Sequence, residues 1–359
     1  MTGKRLAKSK TELYARDVAR VSKLKRKPTQ TGSRLLVPSG STLLNLACSD
    51  THYGAYPIGK IINPIGDKST GKTYFALTSL AEAAVSPDFK DYRFIMDDAE
   101  VANEFNIKKL FGKALNNRIE LNIISKTIED FYGNLMRAVK EGSPFIYILD
   151  SLDSVTSVAE QKRAGEYAKG KEPDGSYKTE KPKLVSELLR VITGDIKDKE
   201  ALVIIISQTR DNIGFGAMFK PKVRTGGKAL EFYASHEMWH AVKQREKSKG
   251  REIGMIIETR VTKNKLTGKR RVIETPIYPD SYGLDSITGN VNFLLSEKYW
   301  DMKGNKISAT EFDLCTMKKR LVKEIEGRSL EHELDLIVAS VWKQIEDSIT
   351  PERKPKFER

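Results

Sequence analysis

The chain of 359 residues is long enough for one large core with small appendages or for two domains. Its 39% hydrophobic content includes no run near the roughly eighteen apolar residues of a membrane span, and Cys48, Cys315 and four scattered histidines offer no metal-ligand spacing. The net charge of +14 is clustered: eleven Lys/Arg stand against Glu12 and Asp17 in 1–34, five against Glu246 in 243–251, and six against no acid in 260–271, which favours a polyanion partner, most often nucleic acid.

In chain order, 1–34 reads as a basic arm in which Leu13, Val18, Val21 and Leu24 allow an amphipathic helix. It has no apolar leader. With so few cysteines, a reducing, cytoplasmic setting is expected. From 35 to 290 short apolar runs alternate with helical stretches such as 183–197. The predicted strands are "GKIINPIG" (59–66), "YRFIMD" (92–97), "IELNII" (119–124), "FIYILD" (145–150) and "LVIIIS" (202–207). Continuous apolar strands between helices imply an α/β fold with a mostly parallel twisted sheet covered on both faces. "GMIIETRVT" (254–262) and "RVIETPIY" (271–278) read as an antiparallel extension of that sheet. Residues 158–182, rich in Lys, Glu and Gly, read as a long loop. Residues 291–349 read as a small C-terminal α/β or helical domain, with a hairpin in "SEKYWDMKGNKISATEF" and helix over 313–348. A basic tail, 350–359, follows.

"GDKSTGKT" (66–73) satisfies G-x-x-x-x-G-K-[ST] after an apolar strand and before a helix-forming run. The expected nucleotide site is therefore Gly66, Asp67, Lys68, Ser69, Thr70, Gly71, Lys72 and Thr73, with Tyr74 next in line. Loop N–H groups would wrap phosphates, Lys72 would reach the β/γ-phosphates, and the Thr73 hydroxyl would ligate Mg²⁺. Asp150, at the tip of "FIYILD", is placed to hold Mg²⁺ directly or through water. Glu100 in "FIMDDAE" is the candidate to orient water. Gln208, after "IIIS", carries both a donor and an acceptor and could sense the γ-phosphate.

These elements in this order resemble the RecA family of DNA strand-exchange ATPases. So do "VPSGSTLLNLA" (37–47), "DAE" (98–100), "LDS" (149–151), "SQTR" (207–210), "TGGKALEFYAS" (225–235) and "VTKNK" (261–265). The C-terminal stretch is more similar to phage recombinases of the UvsX type, which implies a phage or phage-like origin. The resemblance implies a RecA-like ATPase core with ATP and Mg²⁺ as cofactors, single- and double-stranded DNA as partners, and a helical filament with ATP between subunits. Single-strand-binding and mediator proteins are further implied partners. Lys263 and Lys265 match lysines that reach the neighbour's ATP. The loop at 158–182 and the loop "TRDNIGFGAMFKPKVRTGG" (209–227) match the two DNA loops. The resemblance and the residue types together give DNA-contact candidates Ser186, Arg190, Arg210, Ile213, Phe219, Lys220, Lys222, Arg224, Gly226 and Gly227.

Some positions depart from the family pattern. Glu231 stands where bacterial members have a lysine, and Glu237 where they have an arginine. The adenine-stacking tyrosine has no match, since Phe105 is out of step and Ile107 is not aromatic. The acidic tail of bacterial members is replaced by a basic one. A hexameric helicase on the same core, and a DNA-independent ATPase switch, remain as alternatives.

Overall fold

A computed structural model describes residues 35–170, 180–211, 222–224, 227–353 and 356–358. The described residues fall into two compact units, 35–289 and 290 onward. The basic arm and Ile213, Phe219, Lys220 and Gly226 lie outside the described residues.

The first unit opens with β1 (Leu36–Val37), α1 (Thr42–Ser49) and β2 (Tyr56–Pro57). The alternating core follows: β3 (Lys60–Gly66), α2 (Lys72–Val85), β4 (Arg93–Asp98), α3 (Ile107–Asn116), β5 (Ile119–Ile123), α4 (Ile128–Lys140) and β6 (Phe145–Asp150). Next come α5 (Val158–Ala168), α6 (Glu180–Asp198), β7 (Leu202–Ile205), β8 (Ser207–Asp211), β9 (Lys222–Arg224) and α7 (Gly227–Tyr233). The unit continues with β10 (His236–Ser248), β11 (Arg251–Asn264), β12 (Arg271–Tyr278) and β13 (Gly283–Leu284).

The large sheet runs β13-β12-β11-β10-β3-β7-β6-β4-β5, with β8 beside β3 and β9 beside β8. From β10 to β5 neighbouring strands are parallel, whereas β10 to β13 are antiparallel, so the expected mixed sheet is present. Every residue of β6 is buried, as a strand covered on both faces requires. Its Tyr147 and Leu149 pack with Phe131 of α4 and with Leu188, Leu189 and Ile192 of α6 on one face. Parallel strands aligned this way bring their carboxyl ends to one rim, where ligands bind in open α/β sheets.

Two local expectations are corrected. Residues 158–168 are not loop but helix α5. Ser157 accepts from the Glu160 N–H, and the Glu160 carboxylate accepts from the Ser157 N–H, a reciprocal cap that starts a helix with few apolar residues. The second correction concerns 236–248, a 13-residue strand pairing with both β3 and β11 that the sequence reading passed over. Its inner half is buried and its charged outer half is mostly exposed, so apolar periodicity fades midway.

The helix α8 (Ser286–Ser296) carries the chain into the second unit. There β14 (Asp301–Lys303), β15 (Lys306–Ala309) and β16 (Leu314–Thr316) form a three-stranded antiparallel sheet. The expected hairpin thus gains a third strand where helix was expected. Helices α9 (Lys318–Gly327) and α10 (Glu331–Ile349) complete the unit around buried Trp300, Ile307, Leu321, Leu334 and Val338. The Trp300 indole N–H donates to Glu311 at 2.8 Å, which satisfies its one donor.

Candidate nucleotide and DNA site

The rim between β3, β4, β6 and β8 collects Lys72, Glu100, Asp150 and Gln208 of the sequence-predicted site. Asp98 stands beside Asp150, and Gly66 beside Gln208, in the strand registers. A cavity of about 420 Å³ is lined by Lys68 through Tyr74, Glu100, Phe105, Asp150, Gln208 and Met255. A neighbouring cleft of about 450 Å³ shares Lys68, Glu100 and Gln208 and adds Asp153, Thr209 and Arg210.

The loop from Gly66 to Thr73 needs its glycines for two different reasons. A Cβ on Gly66 would lie 2.5 Å from the His240 carbonyl oxygen and 2.6 Å from the Thr70 hydroxyl. Gly71 takes φ +78° as it turns the chain into α2, a conformation that favours glycine. The first turn of α2 lines the cavity through Lys72, Thr73 and Tyr74, and the leading N–H groups of a helix, which have no intrahelical partner, are a ready anion site. Lys72 is buried, and its ammonium donates to the Gly66 carbonyl at 3.0 Å and the Asp67 carbonyl at 2.5 Å. Burial pulls its pKa down, while Asp150 and Glu100 push the other way. The negative charge of a bound phosphate would offset that desolvation cost.

The Thr73 hydroxyl donates to Asp150 Oδ2 at 2.6 Å. Burial raises the Asp150 carboxyl from its ordinary 3.8 to about 6, with Glu100 and Asp98 adding repulsion and the Thr73 bond and Lys72 opposing. A buried oxygen pair of this kind is suited to a hard divalent cation such as Mg²⁺. Asp150 thus holds its proton more tightly folded than unfolded. Its favourable contribution is complete below about pH 4 and is lost as the pH rises through about 6. Asp150→Asn should therefore stabilise the ligand-free protein at pH 7.5 by at most about 3 kcal/mol. Calorimetry is expected to find the gain shrinking toward pH 5, and an equal gain at both values would refute the assignment.

Glu100 is held from two sides. Its Oε1 accepts from the Ser151 hydroxyl and from the Gln208 side-chain amide, each at 2.6 Å. The Gln208 backbone N–H in turn donates to Asp153 at 2.6 Å. The candidate water-orienting group and the candidate phosphate sensor are therefore bonded to one another beside the phosphate loop. Phe105, although out of step in sequence, lines the cavity and packs edge-on against Tyr74 with ring centroids 4.9 Å apart.

Other predicted residues lie elsewhere. Ser186 and Arg190 share α6, the first half-buried and the second exposed. The Lys263 ammonium donates to the Glu231 and Phe232 carbonyls, and that of Lys265 to the Phe232 carbonyl at 2.7 Å. The pair thus caps the carboxyl end of α7, where cations are favourable. Neither lysine lines the two clefts. Lys222 pairs with Asp67. Arg224 is bonded to Glu237, Glu231 and Asn63, so the two acids that depart from the family pattern share one buried partner. Gly227 opens α7.

Missed by the sequence reading were the roles of Ser151, Asp153 and Thr209 and the pairing of Lys222 with Asp67 and of Arg224 with Glu231 and Glu237. Ser151 lies inside the quoted "LDS" and Thr209 inside "SQTR", so only their partners were hidden. No helix among the described residues is long and apolar enough to cross a membrane.

The family model for the RecA N-terminal domain matches residues 17–283. Protein RecA of Treponema denticola is 33% identical over 251 residues, covering 68% of this chain and 55% of the relative, so the match spans about half of that protein's length. Protein RecA of Thermotoga maritima is 30% identical over 277 residues, covering 75% of this chain and 70% of the relative. Protein RecA of Thermus thermophilus is 26% identical over 319 residues, with 85% and 87% covered. With a phosphate loop, an acid at the tip of β6, and Gln208 of β8 bonded to Glu100 just past β4 on one rim, the chain belongs to the RecA family.

Proposed function

We propose that the chain is an ATP-dependent homologous recombination protein. It forms a helical filament on single-stranded DNA, pairs it with homologous duplex, and hydrolyses ATP when DNA is bound. The observation that carries this reading is the Gln208–Glu100 bond. Gln208 touches the candidate catalytic carboxylate and lies in β8, which leads into the basic segment 209–227, expected as a loop but with 209–211 in β8, 222–224 in β9 and Gly227 opening α7. A shift in one is felt by the other.

Lys72 and the N–H groups at the start of α2 would bind the phosphates, and Thr73 with Asp150 would hold Mg²⁺. Mg²⁺ supplies charge neutralisation on the β- and γ-phosphate oxygens when bound. Glu100 would accept a proton from, or orient, the attacking water, with Ser151 and Gln208 fixing its direction. Phe105 and Tyr74 offer apolar rings to the base. Arg210, Lys222 and Arg224, together with Ser186 and Arg190, would meet DNA. On this reading 1–34 is an oligomerisation arm, 35–290 the ATPase core and 291–349 an accessory domain. The setting is the bacterial or infected-cell cytoplasm.

Lys263 and Lys265 would leave the end of α7 to reach ATP in the neighbouring subunit. The Lys263→Ala/Lys265→Ala variant should then keep nucleotide binding while losing ATP-dependent filaments and DNA-stimulated hydrolysis. The deciding experiment is ATP hydrolysis with and without single-stranded DNA, followed by electron microscopy of the same sample. Turnover indifferent to DNA, rings instead of filaments, or unchanged filaments in the double variant would overturn the reading.

A further inference from the structure

One ion pair joins the phosphate loop to the DNA-facing strands. Asp67, the second residue of the phosphate loop, accepts from the Lys222 ammonium on one carboxylate oxygen and from the Thr209 hydroxyl on the other. Thr209 lies on β8 and Lys222 on β9, and these strands pair antiparallel with Thr209 opposite Arg224 and Asp211 opposite Lys222. A single carboxylate thus staples both strands to the loop. Asp211 stands directly across from Lys222 in the ladder, yet the ammonium goes to Asp67. The Asp67 carboxyl is held below its ordinary value, first by the Lys222 bond and then by the Thr209 bond.

The pair is half exposed, with 45% of the Lys222 side chain and 50% of the Asp67 side chain open to solvent. Exposed pairs of this kind are held weakly and exchange readily. A DNA phosphate can compete for the same ammonium. Among the cations of the β8–β9 pair, Arg210 is already exposed and Arg224 is buried between carboxylates, so Lys222 is the one whose availability the Asp67 contact can set.

We propose that Asp67 is a positioning residue that withholds Lys222 from DNA in the nucleotide-free protein. The phosphate loop itself then sets how many cations of the β8–β9 pair are open to a polyanion. This rests on the reading of 209–227 as a DNA loop.

The test is binding of oligothymidylate to the nucleotide-free full chain, titrated over salt. Each phosphate neutralised on a single strand adds about 0.7 to the log–log slope. Asp67→Asn should steepen the slope by about 0.7, the value for one added contact, and tighten binding at low salt, whereas Asp67→Glu should keep the parental slope. Lys222→Met introduced into the Asp67→Asn background should cancel the gain. A purely structural role for Asp67 would weaken binding instead. Equal slopes for the parent and Asp67→Asn would overturn the proposal while leaving the DNA reading intact. So would a steeper slope that survives Lys222→Met in the Asp67→Asn background, or a parental slope for Asp67→Ala, a result that does not depend on whether Asp67→Asn folds. A parent that binds no oligothymidylate, with or without ATP and Mg²⁺, would overturn the DNA reading and this proposal with it.

Discussion

Glu100→Gln should lower DNA-stimulated ATP turnover by roughly 10²- to 10⁴-fold, the range for losing a positioned acid–base group. The substitution is close to isosteric. Oε1 of the new amide can still accept from the Ser151 hydroxyl and the Gln208 amide, the two bonds that fix Glu100, each 2.6 Å long. The cleft should therefore keep its shape and its nucleotide affinity, with the loss falling on kcat rather than KM. Because Gln208 keeps its partner, filaments formed with ATP should persist and turn over slowly. Steady-state kinetics with binding of a fluorescent nucleotide checks both halves. Turnover close to that of the parent would remove Glu100 from the reaction, and a matched loss of nucleotide affinity would recast it as a binding residue.

The parts of this site that were legible from sequence are those carried by short segments. The phosphate loop needs eight consecutive residues, and Asp150, Glu100 and Gln208 each follow a run of apolar residues whose end is plain. A parallel sheet then brings strand ends to one rim whatever the loops contain. What stayed hidden depends on register between distant segments. Asp67 and Lys222 are 155 residues apart and meet only because β8 lies beside β3 and β9 beside β8. Phe105 reaches the cavity although the spacing put it out of step, since 99–106 is irregular and spacing says little there. Strand β10 was lost because its outer half is built from exposed charged residues paired along β11, which leaves no apolar stripe to read. Helix α5 did carry a local signal, the S-x-x-E of Ser157 and Glu160, and the low apolar content of the segment outweighed it.

Arg224→Ala should cost about 3–5 kcal/mol of stability, the range for stripping one partner from a buried ion pair. Only 8% of the Arg224 side chain and 10% of the Glu237 side chain are exposed. Burial depresses the Arg224 pKa even with Glu237 and Glu231 beside it, so the guanidinium is strongly desolvated. Removing it strips the buried Glu237 carboxylate of the Arg224 guanidinium, and takes from Asn63 Oδ1 the donor that now lies 3.2 Å away. Glu231, with 60% of its side chain exposed, can turn to water and should matter far less. Replacing both buried partners together, as in Arg224→Met/Glu237→Leu, removes the carboxylate along with its guanidinium and should recover most of the loss. Denaturant midpoints for the two single variants and the double variant give the coupling directly. The same set separates packing from DNA contact. If the double variant regains stability and DNA affinity together, Arg224 acts on DNA through the placement of β9 and α7. If stability returns and affinity does not, the guanidinium itself meets the phosphates. Single variants that each lose under about 1 kcal/mol, the range of an exposed pair, would show that the pair is solvated in solution and refute the burial on which this expectation rests.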